Sequence, residues 1–292
     1  MGEMAGMAAA MLSSALGGAA VGATRYLAGV LDPLAVGVFR FGIGVLLLAP
    51  LALLGKAAWP SRRDWPATAG LGLLFFALFP LLFNASLRYT TAARGALALS
   101  ALPLLTMAVA AALGVERLNA RKTTGVLIAM AGVAAALLTG LSTAPPGAWR
   151  GDLLMLAAAL CMACYSVWSR PVIRRAGPVT FTVAAMAVGV LGLLPLALAR
   201  GSFAPVAQFG TAQWLAIGYL GVFGGAIGFF LWAWALGRTG PTLVAVSVTV
   251  NPVTAALVGA WVLDEPLRWN LVLGLVAVLA GIALASTARE RP

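Results

Sequence analysis

Long apolar stretches, separated by short polar or Pro/Gly-containing breaks, divide this chain into ten segments of similar length. They run approximately over 4–27, 34–54, 67–87, 92–114, 123–141, 152–169, 179–199, 211–236, 242–263 and 269–287. A bilayer core about 30 Å thick takes about 20 apolar residues of helix. Each run is continuous and lacks period-two alternation, which predicts spanning helices instead of barrel strands. The longest breaks are 55–66, 142–151 and 200–210, leaving no room for a soluble domain. The predicted fold class is therefore all-α integral membrane, with ten transmembrane helices. The first segment carries Glu3 and no early Lys or Arg, and its apolar run is too long for a cleaved signal, so it is read as a span.

The second half restates the first. An offset of 145 residues lays Pro33 on Pro178, Arg25 on Arg170, Val38 on Val183, Gly44 on Gly189 and Pro50 on Pro195. Further along, an offset of 149 lays Pro103 on Pro252, Thr90 on Thr239, Glu116 on Glu265, Gly125 on Gly274 and Gly132 on Gly281. Ala/Leu-rich sequence matches itself by chance, so the Pro, Arg, Glu and Gly matches carry the weight. Each copy holds five spans, an odd number, so the copies are expected to lie antiparallel in the membrane, as in inverted-repeat transporters. The first repeat is placed at 1–141, a Ser/Thr/Pro-containing linker at 142–151 and the second repeat at 152–292.

Composition agrees with this reading. A mean hydropathy of +1.00, with 62% hydrophobic and 9% charged residues, lies far from the balance of a soluble domain. The net charge of +11 would by itself suggest nucleic acid, but its distribution argues otherwise. Twelve of the 19 Lys and Arg residues, including all three clusters, fall on one side of a ten-span layout. The positive-inside rule makes that side, and both termini, cytoplasmic.

Enzymatic chemistry finds little to work with. The chain has no histidine and no G-x-x-x-x-G-K-[ST] loop, so neither the commonest general base nor a nucleotide phosphate cradle is present. Cys161 and Cys164 form a C-x-x-C, but with no histidine and no second cysteine pair they read as small apolar filler in preference to a metal or redox site. Neither a metal nor a cofactor is expected.

Several motifs together carry a family resemblance. The first copy reads Leu87-x2-Thr90-Thr91-Ala92, Leu99-Ser100-Ala101-Leu102-Pro103, Gly114-Val115-Glu116-Arg117-Leu118, Gly125 and Ala131-Gly132-Val133. The second reads Leu236-x2-Thr239-Gly240-Pro241, Val250-Asn251-Pro252, Asp264-Glu265-Pro266-Leu267, Gly274 and Ala280-Gly281-Ile282. This pattern resembles the EamA repeat of the drug/metabolite transporter superfamily, and it covers essentially the whole chain. Among members of this length the chain is most similar to amino-acid exporters of the YddG type. The resemblance implies a bacterial inner-membrane carrier of small metabolites, with a central cavity bordered by spans 1, 3, 4, 6, 8 and 9. It leaves the cargo open, since the superfamily also carries phosphorylated sugars and nucleotide-sugars. The expected partners are a small-molecule substrate and the lipid bilayer, without nucleic acid, and the chain is read as a monomer.

Candidate site residues follow from charge and depth. All eight acids lie at span ends, in loops or in tails, whereas a proton-coupled exporter of cationic drugs would use a buried one. Neutral or zwitterionic cargo is the better fit, with multidrug export as the alternative. Phe75, Phe79 and Phe83 form a stripe on span 3 with Asn84 beside it, read as either packing or substrate-facing. Tyr165 and Trp168 pair at i, i+3 on span 6, and Trp232 with Trp234 lies near the end of span 8, where aromatic faces can hold an ammonium or stack on cargo. Ser14, Ser100, Ser247 and Asn251 lie at plausible cavity depth, although such hydroxyls often bond their own backbone. Pro103 and Pro252 are expected to kink spans 4 and 9, freeing the carbonyls of Leu99 and Val248 and providing bending points. Gly224 and Gly228, in the glycine-rich span 8, serve either close packing or a movable gate. Arg40, about two turns into span 2, is either functional, snorkelling or paired with Asp32. Glu116 and Glu265 are read as caps of the following helices or partners of nearby Arg.

Overall fold

The structure is a computed structural model that describes residues 2–86, 89–90, 95, 98–141, 146–254 and 269–286. Almost all of these are helical. In chain order the helices are α1 (Gly2–Ala28), α2 (Pro33–Leu54), α3 (Trp65–Ser86), α4 (Leu102–Ala112), α5 (Ala120–Leu141), α6 (Ala148–Ala176), α7 (Pro178–Ala199), α8 (Thr211–Arg238), α9 (Pro241–Thr254) and α10 (Trp269–Ser286). Five of them, α2, α3, α6, α7 and α8, are long and apolar enough to cross a membrane; Leu102–Ala112, Pro241–Thr254 and Val272–Ala285 are shorter apolar helices. Among the described residues, five of the ten spans read from the sequence are therefore met at full length. Residues 92–94 and 96–97 of the predicted fourth span, 255–263 of the ninth, and Asp264 through Arg268 with Glu265 among them, lie outside the described residues.

Local chemistry sets the helix ends. Asp32 accepts a hydrogen bond from the Leu34 amide at 2.9 Å, and Pro33 opens α2, where a missing amide costs nothing. Between α6 and α7, Gly177 has φ +96° and ψ 152°, a conformation essentially restricted to glycine. Its amide closes α6 on the Ile173 carbonyl at 2.8 Å, and Pro178 starts α7 at once.

Packing displays the duplication. α5 and α10 lie against each other through small residues: a Cβ on Gly125 would come within 2.6 Å of the Gly281 carbonyl, and one on Gly132 within 2.8 Å of the Gly274 carbonyl. Gly125 is equivalent to Gly274, and Gly132 to Gly281. Each glycine therefore meets the counterpart of the other, which requires the two helices to be antiparallel and related by an approximate two-fold axis. The same relation recurs in the core. Gly44 on α2 abuts Gly225 and Ala226 of α8, while its counterpart Gly189 on α7 abuts Gly72 and Phe76 of α3.

Both α3 and α8 are interrupted at these crossings by π-helical turns, Leu73–Leu78 and Leu220–Ile227. Their starting points are separated by 147 residues, between the two repeat offsets. In α3 the cause is Pro80, which cannot donate to the preceding turn; the Phe79 amide reaches back five residues to Leu74. In α8 no proline is present, and the turn is built from Gly221, Gly224 and Gly225.

Candidate transport pathway

Three groups of candidate residues come together inside the bundle. The first is a polar seam along α1. Ser14 lies 2.8 Å from Ser247 of α9, whose hydroxyl is also within reach of the carbonyls of Ala10 (3.1 Å) and Val244 (2.7 Å). The single Ser247 proton serves one of those carbonyls, so Ser14 donates to Ser247. One turn along, Gly17 faces the Asn251 side chain, and Gly18 packs against the Asn251 backbone and Thr254. Ser13, a neighbour that the sequence pattern did not single out, donates to the Gly228 carbonyl of α8 at 2.8 Å. Asn251 Oδ1 is buried and has no hydrogen-bond partner among the described residues.

The second group is aromatic. Tyr165 is 1% exposed, stacks on Phe75 at 4.2 Å and touches Phe76 and Phe181. Phe75, Phe79 and Phe83 form the expected stripe, with ring centroids 5.1 and 5.8 Å apart; Phe79, Phe83 and Asn84 are half-buried. Phe41 and Phe229 extend the block toward α2 and α8. Trp232 is 3% exposed, and its indole N–H meets no acceptor among the described residues. Trp234 instead lies under the Arg238 guanidinium, 3.6 Å from the ring centroid.

Trp168 departs from the expected pairing with Tyr165. It is 49% exposed, on a stripe of α6 shared with Leu153, Leu160 and Pro171. Three residues advance a helix by 300°, leaving the two rings about 60° apart, and at this edge of α6 that separates core from outer surface.

The prolines also differ from the mid-helix kinks read in the sequence. Pro103 is the second residue of α4, preceded by a turn at Ser100 and Ala101, so it opens a helix. Ser100 is buried at that turn. Pro252 follows a 3₁₀ segment, Ser247–Val250, in which the Asn251 amide bonds the Val248 carbonyl. Tightening of the helix thus satisfies the carbonyl that Pro252 would have left open.

The third group surrounds the π turn of α8. Arg40 neither snorkels outward nor pairs with Asp32. Its Nε and Nη2 both donate to the Gly224 carbonyl, at 3.1 and 3.0 Å, and its guanidinium lies 5.7 Å from the Phe41 centroid and 5.6 Å from that of Phe229. Gly224 and Gly225 let α2 and its side chain approach this closely; a Cβ on Gly224 would sit 3.2 Å from Arg40 Nη2. Gly228 contributes its carbonyl to Ser13.

Glu116 and Asp64, in the connections α4–α5 and α2–α3, lie at one end of the bundle. Glu116 forms a buried 3.0 Å ion pair with Lys122 and accepts from the Thr242 amide at 3.3 Å. It therefore caps α9 of the other repeat, not the helix that follows it, and favours the positive end of that helix. Glu265 lies outside the described residues. At the same end Asp64 accepts from Arg175 of α6 and from Ser61. Those bonds, Arg175 first, hold its pKa below the usual carboxylate value.

A chain whose described residues are almost all helical, with several helices apolar enough to cross a bilayer and two internally equivalent halves, is a membrane protein of the transporter class. The EamA-like transporter family model matches it twice, at residues 4–138 and 149–287, and the chain belongs to that family. Among its relatives are the uncharacterized transporter YyaM of Bacillus subtilis, 23% identical over 92% of this chain and 89% of the relative, and the uncharacterized protein PA1977 of Pseudomonas aeruginosa, 31% identical over 87% and 84%. A probable terminal-alkyne amino-acid exporter of Streptantibioticus cattleyicolor is 28% identical over 85% and 86%. A solved crystal structure superposes with a TM-score of 0.79, covering 97% of this chain and 96% of that one at 25% identity.

Proposed function

We propose that this chain is an inner-membrane exporter of amino acids with large neutral or aromatic side chains, or of closely related metabolites, working by alternating access between two inverted five-span halves with both termini in the cytoplasm. The observation that carries the reading is the interior chemistry. Hydroxyl and amide groups of α1 and α9 adjoin a bundle whose aromatic block supplies apolar surface. The described acids, Glu3, Asp32, Asp64, Glu116 and Asp152, all lie at helix ends or just beyond them. Such an interior suits a molecule that is polar at one end and apolar at the other, and among the described residues it offers no carboxylate for a cationic drug. The similarity to a probable amino-acid exporter supports the same cargo class. The turn ahead of α4 and the 3₁₀ segment of α9, next to the equivalent Pro103 and Pro252, are the natural places for the two halves to exchange shape.

The test is uptake into proteoliposomes loaded with phenylalanine, methionine, a quaternary-ammonium dye or a sugar phosphate for exchange. Exchange of the amino acids in preference to the dye and the phosphate is expected. Robust dye transport with no amino-acid transport would overturn the reading in favour of multidrug export.

A further inference from the structure

We propose that Arg40 is the anchor for a carboxylate group of the transported molecule. This deepens the function proposed above and rests on it for the identity of the cargo. Arg40 lies seven residues, about 10 Å of helix, into α2. Its head reaches Gly224, the fourteenth of the 28 residues of α8. The guanidinium is therefore held at mid-span, where an uncompensated cation is expensive and lipid phosphate is out of reach.

A guanidinium has five N–H groups, and the two bonds to Gly224 use one edge of the fork. The remaining three N–H groups meet no acceptor, and Arg40 takes part in no ion pair, among the described residues. What remains is a free edge with two parallel donors, the geometry that binds a carboxylate in bidentate fashion. One cation with one open edge matches a monoanion in preference to a phosphate dianion. The flanking Phe41 and Phe229 rings belong to the same block as Phe75, Phe76 and Tyr165, so an apolar side chain next to the bound carboxylate finds aromatic surface. Nothing equivalent exists in the second repeat: the residue 145 positions beyond Arg40 is Ala185. The anchor is single, as one carboxylate per cargo molecule requires.

The experiment uses the full chain in detergent and compares binding of 3-phenylpropionate with that of its uncharged amide, 3-phenylpropanamide, by thermal shift and equilibrium dialysis. Wild type is expected to prefer the carboxylate by roughly tenfold or more, the range set by a charge-assisted hydrogen bond. Arg40→Met should bind the two probes equally, while Arg40→Lys should retain part of the preference through a single-point charge. Arg40→Gln keeps a donor for the Gly224 carbonyl and supplies the same comparison should Arg40→Met fail to fold. The absence of a preference in wild type, or its full persistence in Arg40→Gln or Arg40→Met, would overturn the anchor. Because this assay requires no transport, it is independent of the proteoliposome result: a wild type that moves no amino acid yet shows the Arg40-dependent preference would sink the exporter reading alone.

Discussion

The two π turns of this bundle occupy equivalent places in its halves and are used for different ends. In α3 the turn forms ahead of Pro80, and the space it opens is filled by Phe75 and Phe76, both buried and packed on Tyr165, Phe41 and Phe229. In α8 the turn is made of glycines, and the approaching helix brings Arg40 to a backbone carbonyl. The crossings are alike but displaced by about a turn: Gly72, just ahead of its π turn, sits against the Ala185 carbonyl of α7, and Gly225, within its π turn, against the carbonyl of the equivalent Arg40 of α2. A shared backbone irregularity is thus a property of the fold, while the difference between a phenyl core and a cation at mid-span marks where function departs from symmetry.

The sharpest way to break the comparison is to force the two sides to be alike. Ala185→Arg places a cation against the aromatic turn of α3, where Ala185 is fully buried. An uncompensated buried charge costs about 3–5 kcal/mol, so this variant should lose most folded protein in a fluorescence-detected size-exclusion assay. Normal yield would mean that α3 can offer a carbonyl as α8 does. Next in size, Gly72→Ala and Gly225→Ala should each destabilise by about 1–3 kcal/mol through overpacking against a backbone carbonyl, outweighing the roughly 1 kcal/mol of helix propensity that alanine supplies. Thermal melts of the two variants should fall together; a loss in Gly225→Ala alone would show that the crossings are not mechanically equivalent.

Smaller effects belong to the polar seam. Ser14→Ala and Ser247→Ala should each cost about 1 kcal/mol, and the double variant should cost less than their sum, because the two hydroxyls share one hydrogen bond. Strict additivity in that cycle would separate them. The smallest effect concerns Asp64. Its pKa is depressed in the folded state, so its contribution is present above the ordinary carboxylate value, about 4, and fades as pH falls through the lower folded value. Arg175 is more than half exposed, and solvent screens the pair. Stability from pH 7 to pH 5 should therefore be flat in wild type. Asp64→Asn should remove only the acid-side decline, and added salt should reduce the difference further.

Much of this architecture could be read in the chain because it depends on period and length. Apolar runs near 20 residues predict spanning helices, and glycines recurring at fixed offsets in two copies, such as Gly44 with Gly189 and Gly125 with Gly274, predict the equivalences that the packing displays. The aromatic stripe of Phe75, Phe79 and Phe83 needed only helical spacing. Depth was legible for Arg40, but its partner was not: Gly224 lies 184 residues away, and no local pattern announces that a carbonyl there will face it. Neither π turn was legible in the sequence: Pro80 drew no reading, and the glycines of α8 read as close packing or a gate. Trp168 and Tyr165 illustrate the limit of spacing, since three residues place two rings near each other without deciding which is inside. The same holds for Glu116, whose capping target belongs to the opposite repeat. Hydrophobic period fixes what must be buried, because the bilayer penalises exposed polar backbone wherever it occurs. Which helix covers which face, and which carbonyl a buried cation finds, depends on contacts between residues far apart in the chain, and those exist only once the two halves have packed.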